Sequence, residues 1–195
     1  MIRLALDSDA EQIGGIYAPV VRNTAISFEV EPPTAAEIAR RIAETLPTFP
    51  WLVVDKAAEI LGYAYAGAHR ARAAYQWSVD TTVYVHPGAH RSGVGRALYT
   101  SLLQILALQG FYTAYAGITL PNPGSVGLHE AVGFEHLAVY RGVGYKLGAW
   151  HDVGWWQRTL SPRPRVPAAP LSMAATAASS GWHAALTAGV PLLRV

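Results

Sequence analysis

A short stretch of this sequence, residues 90–96, combines glycines with the start of a predicted helix in a pattern suited to binding an anion. Gly93 and Gly95 let the backbone approach a ligand closely, and the N–H groups at a helix start favour negative charge. The stretch lacks the Gly-Lys-Ser/Thr series of a Walker A motif, and Leu98 occupies the third glycine position of a dinucleotide-binding GxGxxG motif. The pattern predicts a phosphate-binding loop of another kind.

This loop lies between a predicted strand and a predicted helix. A β-branched and aromatic run at 81–85 predicts the strand, and apolar residues at helical spacing predict a helix over 93–109. Further strands are predicted at 2–6, 51–55, 59–68, 111–118, 134–140 and 153–160, and further helices at 8–22, 34–46 and 123–133. This order predicts an α/β (α+β) fold, with a mixed central sheet of about seven strands flanked by helices.

The first two helices each begin at a capping-box spacing. Ser8 is followed by Glu11, and Thr34 is followed by Glu37. In a capping box the hydroxyl accepts the N–H three residues on, and the acid returns to the cap N–H. We therefore expect Ser8 and Thr34 to be the N-caps.

Length and composition limit the class of protein. The chain has 195 residues, 51% hydrophobic and 14% charged, and no cysteine, which predicts one domain without a disulfide framework. Residues 1–160 hold 12 basic and 13 acidic side chains, so the domain has no basic face for nucleic acid. Residues 161–195 form a Pro/Ala-rich extension expected to wrap around the domain or lie loosely on it. No signal segment or membrane span is predicted, and a cytoplasmic location is expected.

Two stretches resemble the GNAT N-acetyltransferases, which bind acetyl-CoA. His90 to Arg96 is similar to their Q/RxxGxG/A pyrophosphate loop, with His90 at the first position. Asn122 to Phe134 is similar to their NxxSxxLYExxGF stretch, with His129 where Tyr is usual. More narrowly, the sequence resembles the phosphinothricin and methionine sulfoximine N-acetyltransferases. That resemblance lies in FPWLVV at 49–54, GYAYAG at 62–67, ARAAYQWSVDTTVYV at 71–85, residues 90–98 and AWHDVGWW at 149–156.

The resemblance implies a GNAT fold and a set of catalytic residues. Asp80 stands where the family carries an acid, normally Glu, as the base that deprotonates the acceptor amine. His151 matches an active-site histidine, and His129 stands at the position of the proton donor to the thiolate. This chemistry is reasonable because an α-amine must lose a proton before it attacks a thioester. The choice between Asp80 and His151 as principal base stays open.

The resemblance also implies two sets of binding residues. The acetyl-CoA contacts would be Val83, Tyr84, Val85, Arg91, Ser92, Gly93, Val94, Gly95, Arg96, Asn122 and Ser125. The acceptor contacts would be Phe28, Glu31, Arg72 and Tyr75. The histidines have no HExxH or comparable ligand spacing, so no metal site is expected.

The expected activity is transfer of an acetyl group from acetyl-CoA to the α-amine of a small glutamate-like amino acid, in a ternary complex and within a homodimer. One alternative is another acceptor, such as a general amino acid, a polyamine or a protein N-terminus, although Arg70 and Arg72 favour an anionic one. A second is an inactive acetyl-CoA-binding module, suggested by Asp80 in place of Glu and His129 in place of Tyr. A nucleotide-dependent oxidoreductase is disfavoured by the missing third glycine.

Overall fold

The computed structural model describes residues 1–195 and is built on one seven-stranded sheet in the order β1-β2-β3-β4-β5-β7-β6. The strands are β1 (Ile2–Leu4), β2 (Trp51–Lys56), β3 (Glu59–Ala68), β4 (Ser78–Val85), β5 (Thr113–Leu120), β6 (Glu135–Lys146) and β7 (Ala149–Thr159). Every neighbouring pair is antiparallel except β4 and β5. The predicted mixed sheet of about seven strands is confirmed.

Helices cover both faces of this sheet, as predicted. They are α1 (Ala10–Asn23), α2 (Ala35–Thr45), α3 (Val94–Gln109), α4 (Pro123–Ala131), α5 (Met173–Ala177) and α6 (Trp182–Thr187). Helices α1 and α2 bury Ile13 and Ile42 against one face, whereas α3 buries Leu98 and Leu102 against the other. Because side chains alternate along a strand, successive residues of β4 point to opposite faces of the sheet.

The first helix begins differently from the prediction. A 3-10 turn, Asp7–Asp9, precedes α1, and the carboxylate of Asp9 accepts the Leu6 N–H at 2.8 Å and both Arg3 Nη atoms at 2.7 and 2.8 Å. The capping box at Ser8 is therefore wrong, because α1 begins one residue later, after Asp9, whose buried carboxylate pairs with Arg3 and the Leu6 N–H and makes no cap hydrogen bond to the helix. The second N-cap is confirmed, since the Thr34 hydroxyl accepts the N–H of Glu37 at 3.2 Å.

Residues 161–170 pass over the start of β5 and the loop before β4, and residues 171–194 lie along α3. Helices α5 and α6 pack on it, and the Ser101 hydroxyl of α3 donates to the Leu186 carbonyl at 2.8 Å and accepts the Gly189 N–H at 3.0 Å. Further on, the Arg194 N–H donates to the Ser92 carbonyl at 2.9 Å. The end of the chain therefore reaches the loop at residues 90–96, called the glycine loop below, which leads into α3.

Candidate active site

The sheet opens between β4 and β5. These strands pair only from Ser78–Thr113 to Asp80–Tyr115, and beyond that point they diverge. The rest of β4 stays paired with β3 on its other side, so its edge towards β5 has no ladder partner. The N–H of His86 donates to Leu61 of β3, and backbone alternation therefore turns the N–H groups of Val83 and Val85 towards the gap. A free strand edge of this kind can bind an extended ligand and donate to a carbonyl oxygen.

The glycine loop lies beyond the open end of β4. Arg91 has a φ of 62° and Gly93 a φ of 84°, and within the chain the backbone N–H groups of residues 91–96 donate no hydrogen bond. Unpaired N–H groups at a helix start and in a left-handed turn form a concave anion site. The loop is held from the strand side, because the His90 Nε2–H donates to the Val85 carbonyl at 3.1 Å. The residues present therefore fit a diphosphate group.

A cavity of about 100 Å³ occupies the gap and joins the two faces of the sheet. Its lining includes Thr81, Thr82, Val83, Tyr84, Tyr99, Gly117, Thr119, Asn122, Ser125 and His129. Four of the predicted acetyl-CoA contacts, Val83, Tyr84, Asn122 and Ser125, line it together with His129. The Asn122 side chain also caps α4 by accepting the Ser125 N–H at 3.1 Å.

His129 is buried in this cavity wall with both ring nitrogens bonded. Its Nδ1 lies 2.7 Å from the Ser125 carbonyl, which can only accept, so Nδ1 carries the proton. Nε2 therefore accepts the hydroxyl proton of Tyr99 at 2.8 Å. Burial lowers the pKa of His129, and the Ser125 carbonyl only partly offsets this. The Tyr99 hydroxyl, which donates to the neutral ring, is thus a second proton-carrying group in the cavity wall beside His129.

Asp80 lies on the opposite face of β4, at the point where β4 and β5 separate. Its Oδ1 accepts the Nδ1–H of His69 at 2.6 Å. Burial raises the pKa of Asp80, although the hydrogen bond from His69 and the charge of Arg70 oppose that change. A carboxylate of this kind is a candidate general base near neutral pH.

His151 and Phe28 lie on this same face, further along the sheet. The His151 Nε2–H donates to the Lys146 carbonyl at 3.0 Å, which leaves Nδ1 with its lone pair. Its ring centroid is 6.3 Å from that of Phe28, and the Phe28 ring lies directly on Gly144. Asp80 pairs with Tyr115 near the start of β5, whereas His151 precedes Asp152, which pairs with Leu120 at the end of β5. The two predicted bases are therefore separated along the length of β5.

The remaining predicted acceptor residues do not line the gap between β4 and β5. Arg72 lines a second cavity of about 410 Å³, formed with Phe49, Phe111 and residues 169–172, rather than the gap. Tyr75 packs edge-on against His69 with centroids 6.1 Å apart. Glu31 is exposed and makes no hydrogen bond or ion pair. Tyr75 lines the same second cavity as Arg72, so the structure places both outside the gap, with Tyr75 next to His69, and Glu31 lies outside both cavities.

Sequence reasoning missed two polar groups of this site. His69 contacts Asp80, and Tyr99 contacts His129, yet each pair is separated by many residues in the chain. No motif in the sequence points to either contact. The position of His69 at the end of a predicted strand is the one feature that could have marked it as a candidate site residue. No group of three or more His, Asp or Glu side chains is placed to hold a metal ion. No helix has the length and apolar character needed to cross a bilayer.

This fold and site define an acetyltransferase. The sequence model of the "Acetyltransferase (GNAT) domain" family matches residues 2–155, and the chain belongs to that family. The expected fold and enzyme class are confirmed.

Individual relatives narrow the comparison. The chain is 40% identical over 172 residues to the phosphinothricin N-acetyltransferase of Streptomyces viridochromogenes, covering 88% of this chain and 94% of that protein. It is 34% identical over 171 residues to an L-methionine sulfoximine/L-methionine sulfone acetyltransferase of Pseudomonas paraeruginosa, covering 85% of this chain and 98% of the relative. The crystal structure of a phosphinothricin acetyltransferase from Sinorhizobium meliloti, in complex with AcCoA, matches with a TM-score of 0.78 and 35% identity over 82% of this chain and 87% of that one.

Proposed function

We propose that this enzyme transfers the acetyl group of acetyl-CoA to the α-amine of a small glutamate-like amino acid, with phosphinothricin and methionine sulfoximine as the first candidates. The observation that carries the proposal is the gap between β4 and β5, with a loop of free N–H groups beyond the end of β4 and the partly exposed carboxylate of Asp80 on the opposite face of the sheet. The relatives supply the acceptor class, because their names include both compounds.

On the α3 face, the chain would bind acetyl-CoA through backbone groups. The free N–H groups of residues 91–96 would hold the diphosphate, and the unpaired edge of β4 would bind the pantetheine arm. The N–H of Val83 or Val85 would donate to the thioester oxygen as negative charge develops on it. When bound, acetyl-CoA supplies the activated acetyl group.

On the α1–α2 face, Asp80 would take one proton from the acceptor ammonium group. The free amine then attacks the thioester carbon, the new C–N bond forms and the C–S bond breaks. The second amine proton ends on the thiolate, and the hydrogen-bonded Tyr99–His129 pair in the cavity wall would pass it there. Asp80 releases its proton to solvent, so atoms and charge balance.

We assign the acceptor's carboxylate and side chain to the residues around Asp80 and His151. Phe28 and His151 would contact the substrate side chain, and Tyr75 would close the side next to His69. Arg72, on the same loop as Tyr75, remains our proposed ligand for a carboxylate or phosphinate, because a guanidinium binds such groups bidentately. Glu31 remains a proposed pocket residue on the loop that carries Phe28.

Acetyl-CoA-dependent thiol release tests the proposal. The acceptors would be phosphinothricin, methionine sulfoximine, the common amino acids and several polyamines, with Asp80→Asn as the matched inactive variant. We expect kcat/KM for the glutamate-like zwitterions to exceed that for the other amines by about tenfold or more. Fast turnover of polyamines would show that the acceptor is a polyamine and not a glutamate-like amino acid. No thiol release with any amine, combined with calorimetric binding of acetyl-CoA, would instead favour a binding module.

We also propose that the enzyme is a homodimer in a reducing, cytoplasmic compartment. Strand β6 is an edge of the sheet, and the β6–β7 hairpin exposes large apolar side chains, with Tyr145 and Leu147 each 62% and Trp150 69% exposed. Exposed apolar patches and free strand edges favour association. Light scattering after size exclusion tests it, and a monomeric mass that persists at high concentration would contradict it. The absence of cysteine fits the compartment.

We further propose that residues 1–160 form the catalytic domain and that residues 161–195 brace its glycine loop. The contacts of Gly189 with α3 and of Arg194 with Ser92 support this division. The consequence is that removing the end of the tail should weaken acetyl-CoA binding without a direct effect on the acceptor.

A further inference from the structure

Outside the residues assigned above, His69 is the titratable side chain in direct contact with Asp80. It follows the last residue of β3, whose ladder places Ala68 opposite Val79 and Gly67 opposite Asp80. Nδ1 of His69 lies 2.6 Å from Oδ1 of Asp80, and the side chains are 14% and 39% exposed. A carboxylate oxygen only accepts, so the neutral imidazole must carry its proton on Nδ1. Nε2 makes no hydrogen bond within the chain.

The ring of His69 is held in place by aromatic side chains from three elements. Tyr115 of β5 stacks on it with centroids 4.4 Å apart and planes 22° apart, and Trp155 of β7 and Tyr75 meet it edge-on at 6.2 and 6.1 Å. These contacts restrict rotation of the imidazole. The direction of its Nδ1–H bond is therefore fixed before any substrate arrives.

A fixed donor has a specific consequence for a short carboxylate. With Oδ1 bound to the imidazole, the second oxygen, Oδ2, remains available on the partly exposed side of Asp80. Asp80 would otherwise rotate about its side-chain bonds and present either oxygen in several directions. Orientation of a catalytic carboxylate by a neighbouring ring raises the fraction of time that it can accept a proton.

We propose that His69 is a positioning residue for Asp80, and that its Nδ1–H holds one carboxylate oxygen so that the other accepts the proton of the acceptor amine. This inference rests on the proposed function, in which Asp80 is the general base. The proton passes from the ammonium group to Oδ2 of Asp80 and then to solvent, and the imidazole proton stays on Nδ1 throughout.

The charged or titratable groups that face the pair are few. Arg70 donates to the His69 carbonyl at 2.7 Å, and the phenols of Tyr75 and Tyr115 border the ring. No second carboxylate contacts His69. Loss of the Nδ1–H donor would therefore leave burial of Asp80 opposed mainly by the charge of Arg70, which would raise the pKa of Asp80 further.

Two variants separate positioning from packing. His69→Phe keeps a ring on Tyr115 but removes the donor, whereas His69→Asn keeps an N–H close to the Nδ1 position but removes the ring. We expect His69→Phe to lower kcat/KM for the acceptor about 10- to 100-fold, with an unchanged KM for acetyl-CoA and an acid limb of the pH profile displaced to higher pH. His69→Asn should stay within about fivefold of the unsubstituted enzyme, with an undisplaced limb. The reverse order of activities, or full activity in both variants, would overturn the proposal.

A measurement on the resting, unsubstituted protein does not depend on turnover or on folding of a variant. Nitrogen-15 NMR of the imidazole groups reports which ring nitrogen carries the proton, with Asp80→Ala as the control because alanine offers no acceptor. We expect His69 to be protonated on Nδ1 in its neutral form, and this preference to be lost in Asp80→Ala. A ring protonated on Nε2 would overturn the pairing even in an active enzyme. An inactive protein whose ring is protonated on Nδ1 would instead locate the failure in the proposed function.

Discussion

Gly93 is the residue at which the contact between the tail and the glycine loop can be tested most directly. It is the N-cap of α3 with a φ of 84°, and a Cβ added there would overlap the carbonyl oxygen of Leu192. Gly93→Ala therefore introduces two separate costs. One is the left-handed backbone, which alanine adopts poorly, and the other is displacement of the chain end.

The two costs can be worked out separately. A left-handed conformation costs a residue with a Cβ about 1 kcal/mol or slightly more. Displacing the tail removes the bond from the Arg194 N–H to the Ser92 carbonyl, about 1 kcal/mol, and the packing of half-buried Leu192 and Leu193, about 1–2 kcal/mol together. Gly93→Ala should thus cost about 3–4 kcal/mol in the full chain and about 1 kcal/mol in a chain that ends at Ala188.

Urea denaturation of four proteins measures this difference: the full chain and the chain ending at Ala188, each with and without Gly93→Ala. Gly15→Ala in α1 is the matched control, because a Cβ there meets nothing within 4 Å and alanine favours a helix interior by about 1 kcal/mol. Titration calorimetry with acetyl-CoA on the same proteins shows whether the loop still binds. An equal cost of Gly93→Ala in the long and the short chain would refute the contact, since the clash requires Leu192.

Three further results are expected. Gly144→Ala should raise the KM for the acceptor about tenfold and leave that for acetyl-CoA unchanged, because its Cβ would displace the Phe28 ring; equal changes in both constants would contradict a role confined to the acceptor pocket. Lys146→Met should lower the free energy of unfolding by about 2–3 kcal/mol in urea, because the Lys146 ammonium group donates to two backbone carbonyls at 2.6 and 2.7 Å that would lose their partner; an unchanged midpoint would argue against those bonds. Burial raises the pKa of Asp9, but hydrogen bonds from Arg3 and a backbone N–H outweigh it, so the pKa lies below its usual value. Asp9 therefore stabilises the fold above its unfolded pKa of about 3.9, and this contribution is lost as the pH falls through the folded pKa. Asp9→Asn should flatten the acid loss of stability in pH-dependent denaturation, and an unchanged slope would contradict the pairing.

The sequence could predict those features that arise from local pattern. Strand 59–68 and the helix that follows Gly93 have the expected bounds within one residue, because turns and glycines delimit them. The hairpin β6–β7 is longer than predicted, since Gly142, Gly144 and exposed polar residues interrupt the alternation that marks a strand. The first helix begins after Asp9 rather than at Ser8, because a 3-10 turn held by the ion pair of Asp9 with Arg3 precedes it, and that pairing has no local signal in the sequence.

The candidate site could be predicted residue by residue only where a motif carried it. Asp80, His129 and the glycine loop lie in stretches that resemble a family, so their positions follow from the sequence. His69 does not, because its contact with Asp80 depends on the register that places Gly67 opposite Asp80. The same holds for Tyr99 and His129, which meet through the packing of α3 against α4. In the β3–β4 pair, a one-residue change of register would turn Asp80 to the face opposite His69.

Strand β4 presents side chains to both faces of the sheet, so the two substrates can bind on opposite sides of it. Val79 and Val83 pack towards α3, whereas Asp80 faces His69 and Tyr115 on the other side of the sheet. The acetyl donor and the acceptor amine would thus approach from opposite faces and meet only where β4 leaves β5. Changes that act on the Asp80 face should therefore alter acceptor kinetics, and changes in residues 91–96 should alter acetyl-CoA binding. A substitution at Thr81 is the expected exception, because its hydroxyl donates to the Tyr115 carbonyl at 3.2 Å, at the point where the two strands part, and it should affect both substrates together.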